Sequence, residues 1–303
     1  MGRHGALLMK IPAKSLSPRG QMLLSVLIFG TVGLFVRLIP LPSALIACAR
    51  GVIGAVCILL YMRVRALRPD AAAIRRNALM LLLSGAALGF NWAFLFEAYR
   101  YTTVATATLC YYLAPTLVML LSPVLLHEKL TARKLLCCLV ALLGMVFVSG
   151  AAGGGLPQGK ELTGILWGLA SAVCYAGVMI FNKKLRDVAP YDRTVMQLSI
   201  SAVLMLLYAA LTGQPLSVSL PAVPLLMLLI VGVLHTGVAY LCYFGALRDL
   251  KAQSAAILSY IDPAAAILLS WLILSENPGW HGLIGAALIL GSAVMSERRT
   301  EKQ

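Results

Sequence analysis

The chain is 303 residues long, and 60% of its residues are hydrophobic while only 12% are charged. Because soluble domains carry about 25% charged residues, this composition excludes an ordinary soluble globular protein. The net charge of +14 does not indicate a nucleic-acid-binding protein, since the basic residues lie in short gaps between apolar stretches, as they do in membrane proteins.

Two further features of the sequence argue against particular kinds of structure. The seven cysteines all lie inside apolar stretches, and their odd number and spacing predict neither a disulfide framework nor a metal site. The first 20 residues are basic and contain no long apolar core, so the following stretch is interpreted as the first membrane span and not as a cleaved leader. No cofactor is predicted.

Ten apolar stretches are long enough to cross a bilayer, which takes roughly 20 residues. All ten are predicted to be helices, because lipid cannot satisfy the hydrogen bonds of an open backbone. Pro115, Pro123 and Pro263 fall within spans, where proline can kink a helix. In chain order the spans lie near 21–39, 44–64, 78–100, 103–126, 132–150, 162–182, 194–213, 222–246, 252–275 and 280–296.

The second half of the chain repeats landmarks of the first half. Agreement of Tyr, Pro, Arg and Glu at one offset is hard to obtain by chance, so an internal duplication is predicted. At an offset of 148 residues, Tyr112 coincides with Tyr260, Pro115 with Pro263, Glu128 with Glu276, and Arg100 with Arg248.

The basic residues predict the orientation of the chain in the membrane. When both termini are placed in the cytoplasm, most of the 25 Lys and Arg residues fall on the cytoplasmic side, as the positive-inside rule requires. The exceptions are Arg37, Arg50, Arg100 and Lys160.

Five spans in each half give an odd number, so the second half is inserted upside down relative to the first. Inverted repeats are typical of secondary transporters, whose substrate sites lie near the bilayer midplane where the repeats meet. The predicted division is a cytoplasmic segment 1–20, a first repeat 21–150, a linker 151–161, a second repeat 162–296 and a cytoplasmic tail 297–303.

The same residues carry a resemblance to a known family. Asn91, the sequence Ala-Tyr-Arg-Tyr-Thr at 98–102, and the stretch from Tyr112 to Glu128 with its echo from Tyr260 to Glu276 resemble the drug/metabolite transporter superfamily, EamA type. The resemblance implies a polytopic inner-membrane carrier, often an exporter of amino acids or other small metabolites. Asp262 departs from the repeat, because the first half has Ala114 there.

Ionisable side chains are costly inside a bilayer, so Asp262 and His235 are candidate functional residues. At about 1.5 Å of rise per residue, both lie near the middle of their spans. Asp262 could bind a substrate ammonium or take up a proton, or it could only hold the kink at Pro263. His235 could partner Asp262 or a substrate carboxylate, or be structural.

Other polar and aromatic residues at similar depth, or related by the repeat, complete the predicted site. Core packing and interhelical hydrogen bonding are the alternative roles for each. The predicted substrate-binding residues are Asp262, His235, Asn91, Trp92, Tyr112, Tyr260, Tyr240 and Tyr175.

Charges at span ends form a second predicted set. Glu128 and Lys183 end the fourth and sixth spans at the inner face, while Arg37 and Glu276 end the first and ninth spans at the outer face. The hypothesis is one acid–base latch per face, closed when that side is shut. The alternative is that these residues only anchor helix ends in water.

Arg50 and Glu97 lie towards the outer ends of the second and third spans. Because a lone buried charge is expensive, these two residues are expected to pair with each other in a structural role.

The prediction is therefore an all-α membrane protein that works as a secondary transporter and not as an enzyme. Its most favoured substrates are amino acids or amines, moved outwards across the inner or plasma membrane. Its partners are a small-molecule substrate and the lipid bilayer, without nucleic acid. Protons are a candidate coupling ion, and both a monomer and a homodimer are open.

Several alternatives remain open at this point. Within transport, the chain could carry or exchange another class of metabolite, including anions or drugs. A channel is a further alternative, although inverted repeats with kinked helices fit alternating access better. From another class, a membrane-embedded enzyme acting on lipid would need clustered acids or histidines at one interface, and the sequence has no such cluster.

Overall fold

The structure is a computed structural model that describes residues 16–127, 131–148, 157–215, 219–247, 250, 258–259 and 261–297. Within these ranges all regular structure is helical. Seven of the helical stretches are long and apolar enough to cross a membrane, and three shorter apolar helices lie at 135–148, 261–274 and 279–292. Together they correspond to the ten predicted spans, arranged as two five-helix repeats.

The helices follow one another in the order of the predicted spans. They are α1 (Pro18–Val36), α2 (Ser43–Val64), α3 (Ala71–Arg76), α4 (Ala78–Tyr101), α5 (Val104–Tyr111), α6 (Ala114–Leu125), α7 (Ala132–Val148), α8 (Gly159–Lys183), α9 (Pro190–Leu211), α10 (Ala222–Gly232), α11 (Ala239–Leu247), α12 (Ile261–Leu274) and α13 (Gly279–Glu297), with a π-helical segment (Val233–Val238) joining α10 to α11.

The fourth span is interrupted near its middle. Helix α5 ends at Tyr111, and α6 begins at Ala114 with Pro115 in its first turn. Because proline has no backbone N–H, it cannot donate to the carbonyl four residues earlier, which weakens the helix at this point. The interruption occurs at the proline where a kink was expected, and it places Tyr112 in the turn.

The eighth span contains a widened turn that the sequence did not predict. Its six residues, Val233–Val238, form a π-helix between two α-helical segments. Such insertions are rare and often occur at functional sites. In this span the widened turn changes the direction of the side chains of His235 and Thr236.

One short helix lies where a loop was expected. Helix α3 begins after Asp70, whose side chain accepts a hydrogen bond of 3.0 Å from the backbone N–H of Ala73. An aspartate at this position satisfies one of the free N–H groups of the first turn. The connection between the second and third predicted spans is therefore partly helical.

The two halves pack against each other in pairs that follow the inverted repeat. The third span, α4, lies against the sixth span, α8, while α1 lies against the eighth span, which α10 and α11 form. The second and seventh spans, α2 and α9, face each other, and so do the fifth and tenth, α7 and α13. The interface between the halves therefore runs through the centre of the bundle.

Small residues allow these helices to approach closely. A Cβ atom on Gly51 would lie 2.8 Å from the carbonyl oxygen of Leu198, across the α2–α9 contact. A Cβ atom on Gly144 would lie 2.8 Å from Ile289 and 2.9 Å from the carbonyl oxygen of Gly285, across the α7–α13 contact. Close backbone packing of this kind is a main source of helix association in lipid, where helices gain no hydrophobic driving force.

The outward faces of the same helices expose large apolar side chains. Leu60 of α2 is 58% exposed, Leu82 of α4 is 48% exposed and Leu207 of α9 is 52% exposed. Such faces are suited to lipid tails and would be unstable in water. The polar side chains are instead concentrated between the helices.

Candidate functional site

A cavity of about 440 Å³ lies between the two halves of the bundle. Side chains from both repeats line it, and many of them are aromatic. Six of the predicted substrate-binding residues line this cavity: Asp262, Asn91, Trp92, Tyr112, Tyr175 and Tyr240.

Asp262 and Tyr112 meet across the interface between the repeats. Asp262 lies in the first turn of α12, and one of its carboxylate oxygens accepts a hydrogen bond of 2.6 Å from the hydroxyl of Tyr112. Among the described residues, nothing donates to its other oxygen. The turn between α5 and α6 therefore supplies the partner that orients the carboxylate in the cavity.

Arg50 brings a second charge to the cavity, and it was not among the predicted binding residues. Its side chain is 5% exposed, and the guanidinium carbon lies 4.1 Å from the centre of the Trp92 ring. Its Nε donates to the hydroxyl of Thr236 at 2.7 Å. A cation over the face of a tryptophan is electrostatically favourable.

The prediction that Arg50 pairs with Glu97 is wrong. Glu97 accepts a hydrogen bond of 2.6 Å from Ser43 and lies 3.5 Å from Arg100. The partners differ because α2 turns Arg50 inwards to the cavity, whereas Glu97 lies near the end of α4 among groups that reach solvent. The central cavity therefore contains a positive charge, that of Arg50, which was not expected there from the sequence.

His235 is fully buried and does not line the cavity. Its Nε2 lies 2.8 Å from the hydroxyl of Thr31, and its Nδ1 lies 3.3 Å from the carbonyl oxygen of Ile230. Its own carbonyl oxygen lies 3.5 Å from Nη2 of Arg50. His235 thus links α1 to the π-helical segment, and its carbonyl oxygen is one of the contacts of the Arg50 guanidinium.

Asn91 lines the cavity, but its side-chain amide is hydrogen-bonded to another helix. Its Nδ2 donates to the carbonyl oxygen and to the hydroxyl of Ser171, at 2.9 and 2.8 Å. The Ser171 hydroxyl in turn donates to the carbonyl oxygen of Asn91 at 3.1 Å. These reciprocal bonds hold α4 against α8 and so join the two halves.

Aromatic side chains line the cavity in two groups. The ring centres of Tyr111 and Tyr175 are 5.0 Å apart, and those of Tyr111 and Tyr112 are 5.3 Å apart. On the other side, Tyr240 lies 5.5 Å from Phe29. Tyr260, which was also predicted to contribute, lies outside the described residues.

One end of the bundle is closed by a charged cluster. Arg37, at the end of α1, forms an ion pair with Glu276, which follows α12. Arg37 also donates to the carbonyl oxygens of Tyr99 at 3.1 Å and Thr102 at 2.6 Å. Glu276 further accepts bonds from the backbone N–H of Val104 and from the Ser270 hydroxyl. The cluster therefore ties four helix ends together.

The cavity extends towards the opposite end. Its lining reaches Met179 and Asn182 in the last turns of α8, and Arg193 and Thr194 in the first turns of α9. Lys183 ends α8 at this end of the bundle. Glu128, its predicted partner, lies outside the described residues.

A second hollow of about 390 Å³ lies at the end that Arg37 closes. Tyr99 lines this hollow and also the central cavity. Its hydroxyl lies 3.4 Å from that of Thr108, and its side chain is 4% exposed. Tyr99 is thus the residue that the linings of the two spaces share.

In the described part of the chain, no group of three or more His, Cys, Asp and Glu residues is arranged to hold a metal ion. Among the described residues, the lining of the site contains one carboxylate, that of Asp262, two guanidinium groups, those of Arg50 and Arg193, and several aromatic rings, most of them phenols.

Known proteins share this sequence and fold. The chain is 29% identical over 287 residues to the uncharacterized transporter YxxF of Bacillus subtilis, covering 93% of this chain and 90% of that protein. It is 25% identical over 233 residues to protein RarD of Escherichia coli, covering 74% and 75% of the two chains. One solved structure, 22% identical, has the same fold with a TM-score of 0.65 over 91% of this chain and 94% of the other.

The model of the EamA-like transporter family matches residues 20–150 and again residues 162–297. These two matches cover nearly the whole chain and include all or almost all of each membrane-spanning helix that the structure describes. The chain belongs to the EamA-like transporter family.

Proposed function

We propose that this transporter is a secondary carrier that exports amino acids or amines across the inner or plasma membrane by alternating access. Both termini are in the cytoplasm, and the substrate binds in the central cavity between the repeats. The observation that carries the proposal is the carboxylate of Asp262, which lines a cavity at the interface of two inverted repeats and keeps one oxygen without a donor among the described residues. A carboxylate in that setting attracts an ammonium group.

The two ends of the cavity support alternating access. The end at Arg37 and Glu276 is closed, while the lining of the cavity continues to the ends of α8 and α9 on the opposite side. With the termini in the cytoplasm, the closed end is external and the carrier faces inwards. In the outward-facing state, the Arg37–Glu276 pair opens and a corresponding contact near Lys183 and Glu128 closes.

Protons are the coupling ion in this scheme. Asp262 binds either the substrate ammonium or a proton, so the two compete for one carboxylate during the cycle. The hydroxyl of Tyr112 donates to that carboxylate and keeps it at the interface of the repeats. Exchange of an incoming proton for an outgoing ammonium at one group makes export a consequence of the proton gradient.

The test is counterflow in proteoliposomes that contain the purified protein. Vesicles are loaded with single unlabelled amino acids or amines and then offered the same compound with a trace label. Wild-type protein is expected to accumulate label with at least one loaded compound, and Asp262→Asn is expected to abolish the accumulation.

The matched control is Asp187→Asn, an acid in the connection between α8 and α9 whose side chain is 87% exposed. This variant should exchange as the wild type does. Equal exchange by Asp262→Asn and wild type would remove the carboxylate from the mechanism. No exchange of any compound by folded wild-type protein would contradict the proposed substrate class.

A further inference from the structure

Arg50 holds a buried positive charge that no acid neutralises among the described residues. The described part of the chain contains three ion pairs between an arginine and a carboxylate, and none of them includes Arg50. Its contacts are the Thr236 hydroxyl, the His235 carbonyl oxygen and the face of Trp92. A buried guanidinium with only neutral partners is costly unless an anion completes its surroundings.

The geometry of these contacts leaves part of the guanidinium available. Nε is occupied by Thr236, and Nη2 has only a long contact of 3.5 Å to His235. Among the described residues no acceptor is bonded to Nη1. Arginine presents several donors in a planar fork that matches the two oxygens of a carboxylate. Because Arg50 lines the cavity, that fork is accessible to a bound molecule.

Asp262 supplies the opposite charge to the same cavity. Arg50 comes from α2 in the first repeat, whereas Asp262 comes from α12 in the second. Each charge is held by its own neutral hydrogen-bond partner, Thr236 for Arg50 and Tyr112 for Asp262, and the two side chains form no ion pair with each other. The cavity thus has a negative pole at Asp262 and a positive pole at Arg50, while the second arginine of the lining, Arg193, lies at the start of α9.

We infer that the substrate is a zwitterion, an α-amino acid whose carboxylate is bound by Arg50 while its ammonium group is bound by Asp262. This inference rests on the proposed function and narrows it, because simple amines satisfy only one of the two poles. The volume of about 440 Å³ lies within the range of roughly 300–1,000 Å³ that is typical of small-molecule sites. The aromatic side chains of the lining suit an apolar side chain.

The inference also explains the surroundings of Arg50. The Trp92 ring below the guanidinium and the two contacts from the π-helical segment fix its plane without neutralising its charge. A residue that only braced the π-helical segment would not need to line the cavity. The alternative of a purely structural arginine is tested directly by the binding experiment.

The experiment measures equilibrium binding to the purified protein in detergent by titration calorimetry. Two matched sets of probes are used: leucine with isoamylamine and 4-methylpentanoate, and phenylalanine with phenethylamine and 3-phenylpropionate. Within each set, the amine lacks only the carboxylate, and the acid lacks only the amino group. For at least one set, wild-type protein is expected to bind the amino acid about 10- to 100-fold more tightly than either partner, the range of one charge-assisted contact.

Arg50→Gln is expected to remove the preference over the amine, since the amino acid then gains nothing from its carboxylate. Binding of the amine is retained, which also shows that the variant is folded. Arg50→Lys, which keeps the charge but not the planar fork, should retain part of the preference. Arg65→Gln, at the exposed end of the same helix, is the matched control and should bind as wild type does.

Three outcomes would overturn the inference, and they separate it from the proposed function. Equal binding of amino acid and amine by wild type removes the carboxylate subsite but leaves an amine carrier. A preference that survives Arg50→Gln removes Arg50 from the subsite but leaves an amino-acid carrier. Absence of binding for every probe, together with absence of counterflow, contradicts the proposed function and the inference with it.

Discussion

At the residue scale, the hydroxyl of Tyr112 is the contact that most directly controls Asp262. The bond of 2.6 Å crosses from the turn after α5 to the first turn of α12. It therefore orients a side chain of one repeat by means of a side chain of the other. Any movement that separates the repeats at this point also changes the environment of the carboxylate.

Tyr112→Phe removes this hydrogen bond and keeps the ring. Because a hydrogen bond to a charged group contributes about 1.5–3 kcal/mol, the exchange of amino acids in proteoliposomes is expected to fall roughly 10-fold or more. The control is Tyr61→Phe, since Tyr61 does not line the cavity and its ring packs on Tyr191. Unchanged exchange by Tyr112→Phe would show that the bond does not contribute to transport.

At the scale of the element, the π-helical segment determines how the first and second repeats meet around Arg50. Its widened turn lets the Thr236 hydroxyl donate to the carbonyl oxygen of Val231 at 3.2 Å while accepting from Arg50. The segment packs on α2 at Gly54, where a Cβ atom would overlap the Thr236 methyl group. The absence of a side chain at Gly54 is therefore a condition of the Arg50–Thr236 contact.

Gly54→Ala should force the π-helical segment away from α2. Overpacking of this kind typically costs about 1–3 kcal/mol, so the apparent melting temperature of the purified protein is expected to fall. The matched control is Gly177→Ala in α8, where the nearest atom to a new Cβ is 3.6 Å away, an ordinary contact. If both variants melt at the same temperature, the close packing at Gly54 does not limit stability.

At the scale of the whole molecule, the structure is asymmetric although its repeats are related. The Arg37–Glu276 cluster closes one end, and the cavity lining extends to the ends of α8 and α9 at the other. In a carrier with inverted repeats, exchanging the conformations of the two halves converts such a state into its opposite. The closed cluster is then the contact that must break for the cavity to face the other side.

Met179→Cys, on a background without reactive native cysteines, reports which solution reaches the cavity. A membrane-impermeant thiol reagent is expected to label it in inside-out vesicles and only weakly in intact cells. Adding Glu276→Gln weakens the closed cluster and should increase labelling from outside several-fold. Leu38→Cys, exposed at the closed end, is the control and should be labelled from outside in both backgrounds.

Labelling of Met179→Cys from outside in the otherwise unchanged chain would contradict an inward-facing resting state. Equal external labelling with and without Glu276→Gln would show that the ion pair does not control access.

The sequence predicted the helices, and it identified several residues that line the cavity, for identifiable reasons. Apolar stretches of membrane length define spans, and Pro115 predicted the interruption of the fourth one. Asp262 was identified because a carboxylate inside an apolar span is unusual. His235 was selected by its position along the span, but counting residues gives no rotation about the helix axis, and in the π-helical segment its side chain does not line the cavity.

Arg50 was assigned to Glu97 because both lie near span ends, and only the packing of α2 on the π-helical segment reveals its actual direction. The short helix α3 did have a local signal, since Asp70 precedes three alanines. Local chemistry was thus readable from the sequence, whereas side-chain direction depended on contacts between distant helices.

The ring of Tyr99, which lines both hollows, has an electrical consequence. A water-filled space carries the potential of the solution to which it opens, so the voltage across the membrane falls mainly over the thin layer that separates two such spaces. Moving one elementary charge through the full potential involves about 2.3 kcal/mol per 100 mV. An amine with one net charge therefore experiences the field at this ring, whereas a zwitterion passes it with no net electrical work.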